Sequence, residues 1–159
     1  MTPRKLRLKI ILLFLTLGAN LFAQTSTIET QSIGNPRFNF WIDIPKEWTA
    51  EDRSANGDGF FIYGADSSLD IRVYGSLRVI DEEEEWAILT KGCKTKDFHF
   101  LDGHIGKQIS CDYSLSFIRL SKDDLITFYV HGPRALIMSK LKLFETIAKS
   151  LRRGKPKIH

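Results

Sequence analysis

The alternating run from residue 38 to residue 44, closed by a proline, limits the fold of this chain more than any other feature. Every second position is apolar, and the residue between the second and third of these is Trp41. Such alternation predicts a β-strand with one buried face, and Pro45 ends it because proline cannot donate to a β-ladder. Trp41 falls on the other face, so we expect material packed on both sides of the sheet. The four apolar positions are Phe38, Phe40, Ile42 and Ile44.

Residues 1–23 have the pattern of an export signal. An apolar run from Ile10 to Leu17 follows a basic start, and Ala23 offers a small residue for cleavage before Gln24. The apolar stretch up to Ala23 is shorter than the roughly 20 residues that a transmembrane helix needs. We therefore expect a periplasmic or secreted protein with no stable membrane span after cleavage, the alternative being an uncleaved N-terminal anchor. The basic residues are Arg4, Lys5, Arg7 and Lys9.

The charge balance changes when this segment is set aside. The whole chain has 23 Lys and Arg against 19 Asp and Glu, so without the four basic residues of the signal it has 23 − 4 = 19 against 19. A nucleic-acid-binding domain would carry a basic face in its folded part. The balance therefore predicts no nucleic-acid partner.

The remaining length predicts one domain. We divide it into a polar, flexible lead-in at 24–36, a domain at 37–152 and a basic tail at 153–159. Cys93 and Cys111 are the two cysteines, and in an exported chain they predict one disulfide, although two separate buried thiols remain an alternative.

Further strands and two helices follow from local patterns. The NGDG turn at 56–59 joins a short strand near Trp48 to a strand at 60–63. Asp81 is a natural N-cap, and the glutamates after it suit the first turn of a helix ending near Gly92 better than a calcium loop. A second helix is predicted over 134–151. The other predicted strands are 69–77, 115–120 and 125–130.

A hairpin is predicted about Asp102 and Gly103. A two-residue turn there would pair Leu101 with His104 and would put His99 and His104 together on the face opposite the core. Two imidazoles, with Asp97 or Asp102, would hold Zn²⁺ or Cu²⁺ weakly, but a structural zinc site takes four ligands, and the alternative is ordinary surface residues. The predicted core face of this hairpin is Phe98, Phe100, Ile105, Ile109 and Cys111, which would bring Cys111 beneath the helix that ends at Cys93.

The order of these elements resembles the PsbP-like fold family. The resemblance covers residues 38–152 and implies an α+β fold, an α/β/α sandwich with a central antiparallel sheet flanked by helices, in which Trp48 caps the core after Pro45. It implies an accessory or docking role and no particular chemistry. The positions that carry it are Phe40, Ile42, Ile44, Pro45 and Trp48 at the start and Phe144, Ile147, Ala148 and Ser150 at the end.

The function expected is that of an exported, non-enzymatic, protein-binding accessory module. The sequence has no recognisable nucleophile, zinc-protease or phosphate-loop motif, and no cofactor is expected. Phe60 and Phe61, beside the NGDG turn, are the candidate partner-binding residues, although aromatic residues more often belong to a core. The partner expected is another envelope or secreted protein. The alternative function is a periplasmic protein that binds a small ligand or a metal, in a pocket between sheet and C-terminal helix or at His99 and His104.

Overall fold

A computed structural model describes residues 28–64 and 66–154. The predicted signal at 1–23, the first residues of the lead-in and most of the predicted basic tail lie outside these ranges. The described chain is mainly antiparallel sheet with a few short helices.

A small sheet of three strands uses both ends of the described chain. Its order is β1 (Thr30–Asn35), β2 (Phe40–Pro45) and β10 (Arg152–Arg153). β1 lies where the sequence predicted a flexible lead-in. Its residues show no alternation of apolar and polar side chains. Ile33 nevertheless stands opposite Ile42 and packs against the core, so tertiary contacts stabilise the strand.

A large sheet of seven strands forms the rest. The strands are β3 (Thr49–Glu51), β4 (Gly59–Tyr63), β5 (Asp70–Leu77), β6 (Lys94–His99), β7 (Ile105–Ser110), β8 (Ser114–Leu120) and β9 (Asp124–His131). Their spatial order is β3-β4-β5-β9-β8-β7-β6, and every neighbouring pair is antiparallel.

In the part of the chain that the structure describes, three short helices accompany the sheets: α1 (Glu82–Thr90), α2 (Arg134–Ser139) and α3 (Leu141–Lys149). The Asp81 side chain accepts a hydrogen bond from the Glu84 N–H at 2.9 Å, as the N-cap prediction required. The single helix predicted over 134–151 is instead two helices separated at Lys140, and Arg152 and Arg153, beyond its predicted end, pair with β2. No helix in the described ranges is long and apolar enough to span a bilayer.

The main core lies between the two sheets. We call the face of the large sheet that meets β2 and α3 its inner face, and the opposite face its outer face. Phe40, Phe128 and Phe144 are fully buried in the main core, and Trp48 closes it with 6% of its surface exposed, as expected. Trp41 lies on the far side of β2, flat against Gly34, where an added Cβ would come within 2.5 Å of the ring.

A second, smaller cluster lies on the outer face. Trp86 and Leu89 of α1 pack there, beside Cys93 and Cys111. The helical cover of this face is thus modest, and a full three-layer sandwich stays a prediction. The buried residues beneath α1 are Ile109, Ile118, Leu120 and Leu125.

The predicted register of the β6–β7 hairpin is wrong. His99 pairs with Ile105, and Phe100 closes a three-residue loop by donating its N–H to the His104 carbonyl. Gly103 in this loop has φ of 87°, which suits a three-residue loop with glycine at its left-handed position. The Leu101 N–H donates to the carbonyl of Lys149, so contact with the end of α3 holds the longer loop.

This register changes which hairpin residues share a face. Phe98 and Phe100 are buried in the main core, as predicted, but Ile105 is 57% exposed on the outer face. Ile109 also points outward and belongs with Cys111 to the cluster under α1. The side-chain alternation of a strand explains this, because one extra loop residue moves every later side chain to the other face.

Candidate functional site

The outer face of the large sheet has a covered and an open half. α1 covers the part formed by β7, β8 and the start of β9. On β4, β5 and the end of β9, side chains of the outer face remain half-buried or exposed. We call this open surface the aromatic patch; its residues are Phe61, Tyr63, Arg72, Tyr74, Tyr129 and His131.

Arg72 is fixed at the centre of the aromatic patch. It stands opposite Phe61 in the β4–β5 register, and its guanidinium carbon lies 4.4 Å from the centroid of the Phe61 ring. Its Nε donates to the Asp70 carboxylate at 2.8 Å, and this hydrogen bond raises the pKa of Arg72. The guanidinium therefore stays charged and is held flat over an aromatic ring, a favourable cation–π arrangement.

Two tyrosines extend the patch across β5 and β9. Burial raises the pKa of Tyr74, although its hydrogen bond with Thr127 acts in the opposite direction. The Tyr74 hydroxyl is therefore neutral near pH 7 and can both donate and accept. Tyr129 stacks with His131, with ring centroids 6.3 Å apart and planes 11° from parallel. The patch thus presents aromatic faces with polar ends.

Phe60 and Phe61, the two candidate partner-binding residues, point to opposite faces. Phe60 packs against the main core, and Phe61 lies in the aromatic patch. A hollow of about 220 Å³ beside the patch is lined by both residues together with Arg72 and Tyr74. Of the two, Phe61 is the one whose ring is available to a partner on the outer face.

A groove of about 400 Å³ runs between the small sheet and α3. Its walls combine apolar side chains with hydroxyl groups, and Leu101 of the hairpin loop stands at its rim. The apolar residues include Pro45, Leu143 and Ile147, and the polar ones are Thr30, Asp43, Thr146 and Ser150. This is the place where the sequence suggested a small-ligand pocket.

The two candidate metal ligands do not share a face. His99 is exposed at the end of β6 on the outer face, whereas His104 is half-buried on the inner side, with its ring 5.9 Å from that of Phe100. Burial lowers the pKa of His104, and the nearby Arg119 guanidinium lowers it further. Within residues 28–64 and 66–154, no group of three or more His, Cys, Asp or Glu side chains is placed to hold a metal ion.

Cys93 and Cys111 lie at disulfide-bonding distance, as the sequence predicted. Their Cα atoms are 4.7 Å apart, within the usual range for a bridge. The pair joins the end of α1 to the turn between β7 and β8. It holds the helix against the covered half of the outer face.

Comparison with known proteins identifies the fold. No family model and no curated protein matches the sequence. Among solved structures, the solution structure of cyanobacterial PsbP (CyanoP) from Synechocystis sp. PCC 6803 matches 83% of this chain and 96% of its own, with a TM-score of 0.55 and 12% identity. The fold is PsbP-like. At that identity the PsbP-like match describes architecture and carries no activity with it.

The sequence indicated only the β5 residues of the aromatic patch. The alternation in β5 already put Asp70, Arg72 and Tyr74 on the face opposite Ile71 and Val73. The register that sets Arg72 opposite Phe61 depends on the loop geometry between β4 and β5, and the position of Tyr129 depends on β9 pairing beside β5. Strand order cannot be read from alternation, so the patch could not be assembled from the sequence.

Proposed function

We propose that this chain is an exported, non-enzymatic accessory domain that binds another envelope or secreted protein through the aromatic patch. The pattern of residues 1–23 supports export, and the absence of a catalytic motif in the sequence favours a binding role. The PsbP-like fold is compatible with an accessory role. The observation that carries the proposal is Arg72, held over Phe61 on an open sheet face.

The composition of the aromatic patch supports protein binding. Tyr and Arg are enriched among the residues that dominate interface energies, and Tyr buries a large area at a small cost in side-chain entropy. Arg72 is already ordered by Asp70 and Phe61, so little of its rotamer freedom remains to be lost on binding. The patch is therefore preorganised for a protein surface.

The test is cross-linking and mass spectrometry of partners retained from envelope extract by residues 24–159. The variant Phe61→Ala/Arg72→Ala removes the centre of the patch, and Ile105→Ala is the matched control, an exposed outer-face residue on β7. We expect one partner to be retained by the unmodified chain and the control and to be at least about tenfold depleted with the double variant, as for loss of a hot spot. Equal retention by all three proteins would contradict the proposal.

The groove beside α3 supports a second candidate function, binding of a small, mainly apolar ligand. Its volume and its mixture of apolar walls and a few hydroxyls are typical of small-molecule sites. Native mass spectrometry of untagged protein purified from its own envelope should show an added mass, and Thr146→Trp, which fills the groove, should remove it. The same spectra test the weak metal site proposed at His99 and His104, since a bound ion would persist in the Trp variant.

A further inference from the structure

The four sheet edges within the described residues are protected unequally. Exposed edges of natural sheets are usually blunted by shortness, charge or proline, because unpaired backbone groups recruit other strands. β3 has three residues, β10 has two arginines, and β6 carries Lys94, Lys96 and Asp97. β1 has six residues with neither a charge nor a proline, and Thr30, Gln31 and Ser32 are exposed. Among the described residues, β1 has no strand on its outer side.

The unpaired backbone groups of β1 can be assigned to particular residues. In an antiparallel ladder, two opposite residues either exchange both of their hydrogen bonds or exchange none. Ser32 stands opposite Asp43, whose N–H donates to the Ser150 hydroxyl at 2.8 Å, on the side away from β1. The Ser32 N–H and carbonyl therefore point to the free edge. By the two-residue period of the strand, so do those of Thr30 and Gly34.

We infer that this edge pairs with the β1 strand of a second copy of the chain. A two-fold axis at Ser32 sets Ser32 opposite its counterpart and Thr30 opposite Gly34 of the second copy, so all three edge residues find partners. The pairing brings no like charges together. The same construction at the middle of β6 would oppose Lys96 to Lys96 or Asp97 to Asp97, which is destabilising.

The surface beside the edge also favours a close approach. Trp41 lies flat on Gly34, and Gly34 has no side chain of its own to stand against Thr30 of the second copy. The shared edge is short, and interfaces of this size are typically weak and transient. We therefore expect a dimer with a dissociation constant on the order of 0.1 mM, set mainly by main-chain hydrogen bonds.

Sedimentation equilibrium on the chain from Gln24 to His159 tests this directly. Both buried clusters lie between Phe38 and Leu151, so this chain keeps every residue of the fold's core. The unmodified protein should pass from monomer to dimer between about 10 µM and 1 mM. Ser32→Pro removes the central free N–H without touching the β1–β2 hydrogen bonds and should lower the association constant at least about tenfold.

Ser32→Ala is the matched control for Ser32→Pro. It loses the same hydroxyl contact with Asp43 but keeps the N–H, so its association constant should stay within about twofold of the original. Ser32→Lys, which protects the edge as lysine does in β6, should also weaken the dimer about tenfold, and provides the test if the proline variant does not fold. Circular dichroism melts identify any unfolded variant.

Two results would overturn the inference. One is a protein that remains monomeric at 1 mM, in which case β1 is not a self-pairing edge. The other is an equal loss of association in Ser32→Pro and Ser32→Ala, which would assign the effect to the hydroxyl and not to the backbone. Hydrogen exchange adds an independent measurement, since the amides of Ser32 and Gly34 should gain protection as the protein concentration rises.

Discussion

The main core and the cluster under α1 are held together in different ways. Among the described residues, the main core contains twenty buried apolar residues, which include members of both sheets and of α2 and α3, whereas the second cluster contains four. α1 itself has no buried residue and begins with four glutamates. Its attachments are partial packing by Trp86 and Leu89, the nearby disulfide and a 4.0 Å contact between Arg78 and Glu85.

This difference shows two solutions to covering a sheet. Where enough apolar area is available, burial alone orders the layers, since each buried large side chain contributes about 1.5–3 kcal/mol. Where the helix is too polar to bury a face, a cross-link replaces the missing area by restricting the unfolded chain. We therefore expect the covered half of the outer face, and not the main core, to depend on oxidation.

The largest effect should come from the main core. Phe128 is fully buried between Phe117 and Phe144, with ring centroids 6.0 and 6.5 Å away. Phe128→Ala should lower the free energy of unfolding by about 3–5 kcal/mol, because the cavity cannot collapse between two packed layers. Urea unfolding measures this free energy. The control is Leu77→Ala, at a site that is 67% exposed, and it should change the free energy of unfolding by less than about 0.5 kcal/mol. A loss below about 1.5 kcal/mol would show that burial is not what orders this core.

The disulfide should come second. Its cysteines are separated by 18 positions, so Cys93→Ser/Cys111→Ser should lower the free energy of unfolding by about 3 kcal/mol. Hydrogen exchange should accelerate more in α1 than in β9, because β9 exchanges only through global unfolding while the helix also loses its local attachment. Chemical reduction of the unmodified chain is the matched comparison and should give the same pattern. Uniform loss of protection in α1 and β9 would contradict the separation of the two regions.

The sequence predicted those elements whose position follows from a local pattern within one segment. The alternation around Phe40 and Ile42 locates β2, and the Asp81 cap locates the start of α1. In these places local preference and tertiary packing agree, so reading one segment at a time is sufficient.

The rest depended on contacts between distant segments. β1 has no alternation and forms because β2 offers it an edge. Beyond the end of the predicted helix, Arg152 and Arg153 form a short strand on β2, where they bind Asp43 and Asp124. The hairpin loop has three residues and not the predicted two, and the Leu101 N–H within it donates to the carbonyl of Lys149. That single residue places His99 and His104 on opposite faces of the hairpin. The aromatic patch likewise needs the strand order, which no local pattern contains.

The smallest predicted effect concerns pH and the rim of the main core. The charged groups that act on His104 are Arg119 of β8, Asp102 of the hairpin loop and Arg153 of β10. Burial lowers its pKa below the ordinary value of 6.5, the two guanidinium groups lower it further, and the Asp102 carboxylate opposes them. At a pH between the lowered pKa of His104 in the folded chain and its ordinary pKa, the unfolded chain binds more protons than the folded chain. The free energy of unfolding should therefore fall as the pH drops below about 6.5.

His104→Gln removes this titration while keeping a polar side chain of similar reach. Urea unfolding at pH 7.5 and 5.5 should show a smaller loss of stability on acidification in His104→Gln than in the unmodified chain. His99→Gln is the control, since His99 is exposed, and it should keep the original pH dependence. Asp102 does not interfere in this range. Burial raises its pKa, but hydrogen bonds from the Arg119 side chain and from the backbone N–H of His104 outweigh that effect and lower the pKa. The contribution of Asp102 to stability is therefore lost only at more acidic pH. An identical pH dependence in His104→Gln and the unmodified chain would place the acid sensitivity outside the main-core rim, and the cluster under α1 would then be the region to test.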